Sequence, residues 1–270
     1  MLPRLAKPQA GWILVCALSA TICAGCATTR PMAVLPSGYS VVRDQLVVYS
    51  DFDLPRHHRL LDELASQRGD VAQRLELPTS DEPIYVYLFD SPEQYRDFVG
   101  RHFPDFPERR AVFVETDTRL SVYAHWSDRV AEDLRHEVAH GYLHAVVPHL
   151  PLWLDEGLAE YFEPPRHLVG LNQPHVDRLL ADREKHRWSP DMARLERMVT
   201  GGEMTQRDYA EAWAWVYFLL ETTPERRELL RRHLAELRKG SATRALSGVL
   251  YEREPRAGEA LVAHLESLRG

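Results

Sequence analysis

Cysteine is nearly absent from this sequence. The three in 270 residues, Cys16, Cys23 and Cys26, crowd at the amino end, so no disulfide framework can staple the bulk of the chain. A basic excess is missing too: 33 Lys and Arg stand against 40 Asp and Glu, a formal charge of −7. A protein that neutralises nucleic-acid phosphates is thereby disfavoured. Internal repeats and low-complexity blocks are absent. The apolar run from Trp12 to Leu18 is too short to span a bilayer. What is present is a 44% hydrophobic, 27% charged composition. It describes a folded chain with a real core, long enough for one large domain or two small ones.

The amino end has the layout of a secretory signal. Arg4 and Lys7 come first without an acidic residue, a short apolar stretch follows, and small residues precede a break. Cys23-Ala24-Gly25-Cys26 resembles a bacterial lipobox, although Cys23 stands where that pattern prefers Leu. The resemblance implies removal of residues 1–25 and lipidation of Cys26, and Ala27 after it implies delivery to the outer membrane, facing the periplasm. Ordinary signal cleavage near the same place is the alternative. Either way the mature chain is exported and two units more negative. Residues 26–40 carry Pro31, Pro36, Ser37 and Gly38 and read as a tether, so the membrane is a partner only through its anchor.

The folded part is expected over 41–270, with a sheet half at 41–147 and a helical half at 148–270. Residues 41–49 read as one strand or a tight hairpin. Leu60, Leu61, Leu64, Val71 and Leu75 recur at helical spacing. Ile84–Phe89 is a run of β-formers between Pro83 and Asp90, and Ser91-Pro92 is a helix start with a cap and a proline at the first position. Two further strands fit 111–115 and 120–123. From Ser127 onward the pattern is helical, with four helical segments after Thr205. The fold class is α+β, a mixed sheet followed by helices, with the chemistry expected at the junction.

At that junction lies His136-Glu137-Val138-Ala139-His140, inside a helix expected over 128–147. On a 3.6-residue helix the two histidines lie about 40° apart on one face, close enough for both to hold one metal. Glu137 projects about 60° from His140, beside the metal and able to accept a proton from water. Val130, Leu134, Val138 and Ala145 form an apolar stripe on the other side.

A zinc site needs a third protein donor. A histidine three residues past a Gly turn is not available, because positions 143 and 146 hold Leu143 and Val146. His144 continues the histidine stripe about 6 Å further along the axis and reads as a cleft-lining or surface residue. Pro148-His149-Leu150-Pro151 breaks the helix, and Leu152 to Phe162 reads as a returning helix. Comparing lengths along the two helices brings Glu156 roughly opposite His140. Glu160, one turn on, is suitably placed to hydrogen-bond a ligand histidine. Gly157 removes a side chain where two helices approach.

His136-Glu137-Val138-Ala139-His140 with Trp153-Leu154-Asp155-Glu156-Gly157-Leu158-Ala159 resembles the gluzincin metallopeptidases, most nearly their peptidase MA-like branch with its bacterial envelope members. The aminopeptidases of that clan carry a Trp-Leu-Asn-Glu-Gly-Phe-Ala segment whose Glu is the third zinc ligand, which maps to Glu156. The connection from His140 is shorter here than in those enzymes. The resemblance implies a zincin-like fold and Zn²⁺ held by His136, His140 and Glu156. It implies Glu137 as general base in peptide hydrolysis, and Glu160 beside the ligands. Tyr209, which opens Tyr209-Ala210-Glu211-Ala212-Trp213-Ala214, matches the tyrosine that stabilises the oxyanion; an aromatic core helix is the other reading. The strand at 111–115 is the expected edge that pairs with an extended peptide. It lacks the aminopeptidases' Gly-x-Met-Glu-Asn pattern, so Glu115 is given no role and capture of a free amino terminus is not implied. The alternative is a non-catalytic envelope lipoprotein that keeps the scaffold for binding or assembly.

Overall fold

A computed structural model describes residues 34–269 apart from 107 and 242. The signal, Cys26 and most of the tether therefore lie outside the described residues. Chain order begins with a hairpin, β1 (Tyr39–Arg43) and β2 (Leu46–Ser50), turning at Asp44 in the left-handed region. The expected strand at 41–49 is thus the hairpin of the two readings. Before it, Leu35 already packs on the sheet, so the tether's last residues belong to the folded body. Next come α1 (Arg59–Leu75), β3 (Ile84–Phe89), α2 (Pro92–His102), β4 (Ala111–Thr116) and β5 (Arg119–His125). Ser91 caps α2 by accepting from the Gln94 N–H, with Pro92 at the first position.

The five strands lie in the order β1-β2-β3-β5-β4, parallel across β2-β3-β5 and antiparallel at both edges. Period-two alternation divides the sheet's two faces. Ile84, Val86 and Leu88 of β3 join the main core, while Tyr87 and Phe89 join Tyr95 and Phe98 of α2 in an aromatic layer. The main-core face is covered by α1 and by α3 (Val130–His144), which crosses β3, β5 and β4. A Cβ at Gly141 would come within 2.9 Å of the Ile84 side chain, which is how close α3 lies to the sheet.

The helical half contains α4 (Leu152–Phe162), α5 (Gln173–Glu184), α6 (Met192–Leu195), α7 (Gln206–Glu221), α8 (Pro224–Arg238), α9 (Leu246–Arg253) and α10 (Ala257–Ser267). Four helices after Thr205 match the sequence expectation. Helix α7 is buried continuously from Asp208 to Leu220, as a helix apolar on all sides must be. It packs along α4, which packs in turn on α3. Glu211, fully buried in α7, accepts from the Trp188 indole, the Asp191 N–H and Arg194, so its charge is paired. Among the described residues no helix is long and apolar enough to cross a membrane.

Candidate metal centre

The two helices that carry the sequence motifs form an antiparallel pair. Helix α3 ends at His144, the chain reverses through His149 in the left-handed region, and α4 begins after Pro151. Gly157 sits where α4 meets α7, and a Cβ there would stand 2.7 Å from the Ala212 carbonyl oxygen. This contact sets the depth of α4 and therefore the position of its neighbour Glu156.

Three donor atoms converge between the helices. His136 Nε2 lies 3.3 Å from His140 Nε2, and Glu156 Oε2 lies 3.5 Å from the first and 3.7 Å from the second. Bonds of about 2.0–2.1 Å arranged tetrahedrally around zinc separate ligand atoms by roughly 3.3–3.4 Å, so the spacing fits one small ion. All three side chains are buried, and Glu156 Oε2 has no hydrogen-bond partner among the described residues. A buried carboxylate oxygen left unpaired carries a desolvation penalty; a cation at this point would remove it. The residues fit a metal.

The other nitrogens are engaged. His136 Nδ1 meets Glu163 Oε2 at 3.1 Å and His140 Nδ1 meets Asp155 Oδ1 at 2.8 Å. An Nδ1–H donated to each carboxylate leaves both Nε2 lone pairs facing the common point. Asp155 also meets His144 Nε2 at 3.0 Å, and His144 Nδ1 reaches Glu115 at 2.6 Å. His144 is therefore a member of a histidine–carboxylate chain one turn from the donors. Glu160 departs from expectation: its carboxylate accepts from His175 at 2.8 Å, and Glu163, at the end of α4, takes the place beside His136. Glu160 remains close to His136 and Glu163. The cause is direction, since Glu163 lies two turns from Glu156 and returns to within about 20° of its azimuth, against about 40° for Glu160.

These contacts set the charges. Burial opposes a charge on His136, but Glu156 and Glu163 outweigh it and raise its pKa well above the ordinary value. Burial works the same way on Asp155, and the His140 and His144 partners hold it well below the usual carboxylate range. Burial also opposes charge on Glu160, yet His175 and the neighbouring His136 keep it low. Glu163 is pushed up by burial against the pull of His136.

Glu137 follows His136 on α3, and its Oε2 accepts from the Phe113 N–H on β4 at 2.7 Å. The Phe113 ring stacks on His140, with centroids 5.8 Å apart. Tyr209 reaches the cavity lined by His136 and Glu137. Its phenol, raised by burial, accepts a hydrogen bond from Arg109, so its own proton is free to donate. Arg109 went unseen in the sequence, being a loop residue outside any periodic element. Its ring-face contact with Tyr209 (5.4 Å) ties the sheet half to α7. Asp133, near the start of α3, pairs with Arg110 through both oxygens.

Residues 130–241, from the first residue of α3 to just beyond α8, match a family described as "Protein of unknown function (DUF1570)". No curated protein matches the chain.

Proposed function

We propose that this chain is a zinc-dependent peptidase of the bacterial cell envelope, belonging with the gluzincins. The observation that carries the reading is the convergence of His136, His140 and the unpartnered Glu156 oxygen at zinc spacing, with Glu137 alongside. The sequence of residues 1–26 supports export and lipid anchoring at Cys26, on the periplasmic side of the outer membrane.

His136, His140 and Glu156 would hold the ion, whose chemistry is to polarise a carbonyl and to acidify water. Asp155 and Glu163 keep the imidazoles in the tautomer that presents Nε2. One oxygen of Glu137 is fixed by the Phe113 N–H; the other takes a proton from the attacking water and delivers it to the departing amine. Tyr209 donates a hydrogen bond through its hydroxyl to the carbonyl oxygen, one that strengthens as negative charge grows there. The exposed edge of β4, beside Glu137, supplies main-chain partners for an extended peptide.

Elemental analysis and a peptide-library digest read by mass spectrometry test the reading on the full chain. One zinc per chain is expected in the parent and a loss of zinc in His136→Ala. Glu137→Gln should retain zinc and lose cleavage. A zinc-loaded parent that cuts nothing would favour the non-catalytic scaffold, and undiminished cleavage by Glu137→Gln would overturn the role given to that residue.

A further inference from the structure

Two cavities flank the donor atoms, and Arg109 and Glu137 line both. The one on the His140 side holds about 320 Å³, within the size range of small-ligand pockets, about 300–1,000 Å³. Part of its wall is apolar or bare, with Phe106, Val112, Phe113, Leu152, Gly201 and Gly202, and the rest is polar and carries the donor residues. Phe106 packs edge-on against Phe103 and is still 43% exposed, so part of its ring faces the pocket and solvent.

The charges in this pocket are unequal in their freedom. Asp155 is engaged by two histidines, Glu137 by the Phe113 N–H, Glu156 faces the donor point, and the remaining acid, Asp105, is exposed to solvent. Arg109 is the one Lys or Arg among the lining residues. Its guanidinium donates to the uncharged Tyr209 hydroxyl, and among the described residues it forms no ion pair. A guanidinium has five N–H donors in a planar fork suited to carboxylates, and most of this one is unspent.

Resting on the peptidase reading, the geometry points to a substrate class: peptides whose carboxy-terminal residue is apolar and occupies this pocket, with the terminal carboxylate held by Arg109. A terminal residue carries an apolar side chain and a carboxylate on the same Cα, so it satisfies both features together. An internal acidic residue would meet Arg109 and leave the apolar walls uncovered.

The test measures binding to the full-length, zinc-loaded Glu137→Gln protein by calorimetry. The probes are N-acetyl-leucyl-phenylalanine, its carboxy-terminal amide, and N-acetyl-leucyl-aspartic acid blocked as the α-amide. The free acid should bind about tenfold or more tightly than either amide, in keeping with one charge-assisted pair. Adding Arg109→Gln should bring the acid-to-amide ratio below about threefold, and Arg109→Lys should leave it intermediate. Zinc content of each variant reports that the centre is still assembled. Equal binding of acid and amide, a ratio untouched by Arg109→Gln, or a preference for the aspartyl peptide would each overturn the assignment. Failure of the peptidase reading is separate: it would appear as a zinc-loaded parent that binds the free acid and cuts no peptide.

Discussion

The main-chain N–H of Phe113 donates to Oε2 of Glu137 across 2.7 Å, joining the outermost strand to the helix that carries both histidines. The residue proposed as the general base is thereby held at a fixed distance from the edge strand. Its freedom is spent before any substrate arrives, and such prior positioning lowers a barrier.

Shortening that side chain tests the arrangement. Glu137→Asp keeps the charge but is one methylene too short to hold the Phe113 N–H and serve the cleft together. Turnover of any cleaved peptide should fall by about 10²-fold or more, with zinc content unchanged. A variant with parental turnover would separate the strand contact from catalysis.

Gly157→Ala should destabilise the protein even though alanine favours helices by about 1 kcal/mol. The new methyl would stand 2.7 Å from the Ala212 carbonyl oxygen and 2.9 Å from a Val216 methyl. Overpacking of this kind costs about 1–3 kcal/mol; chemical denaturation would measure it, and zinc affinity should drop with the displacement of Glu156. A stabilised variant would mean that α4 and α7 separate easily.

Metal binding should release protons. His136 is held well above its ordinary pKa by Glu156 and Glu163, and a ligand imidazole must be neutral at Nε2. Zinc affinity is then greatest above that raised pKa and declines as pH falls through it. Calorimetry in buffers of different ionisation enthalpy would count the protons; a count of zero at pH 7 contradicts the assignment. Glu156→Gln should abolish tight zinc binding, because the third donor is gone, and it should lower the His136 pKa by removing the carboxylate that raises it.

His144 carries its own pH signature. Burial disfavours its charge, but Asp155 and Glu115 overcome this and lift its pKa to about 9. Its folded value exceeds the unfolded one, so its contribution is complete below about pH 6.5 and fades as pH rises through 9. The amount is on the order of 3 kcal/mol. Urea denaturation between pH 6 and 10 should show this loss in the parent and a flatter profile in His144→Gln.

Much of the centre was legible because it is local. His136 and His140 lie one turn apart on one helix, and Glu156 returns on the next after an unmistakable proline break, so helical geometry alone brings them together. The strands at β3, β4 and β5 announced themselves by β-forming runs of the right length. Glu163 was missed, although its spacing of seven from Glu156 was a usable signal, and the nearer Glu160 was preferred to it. Asp155 was passed over as a neighbour of Glu156, although in the fold it meets both His140 and His144 of α3. Arg109 left no trace in any periodicity. Its place depends on where a loop between α2 and β4 is carried by the packing of α7, and only the tertiary fold specifies that.

All three candidate metal donors, and both carboxylates that steady the imidazoles, come from the single stretch 136–163. Closing so short a loop sacrifices little chain entropy, so once α7 has set the depth of α4 the donors are brought together at small cost in disorder.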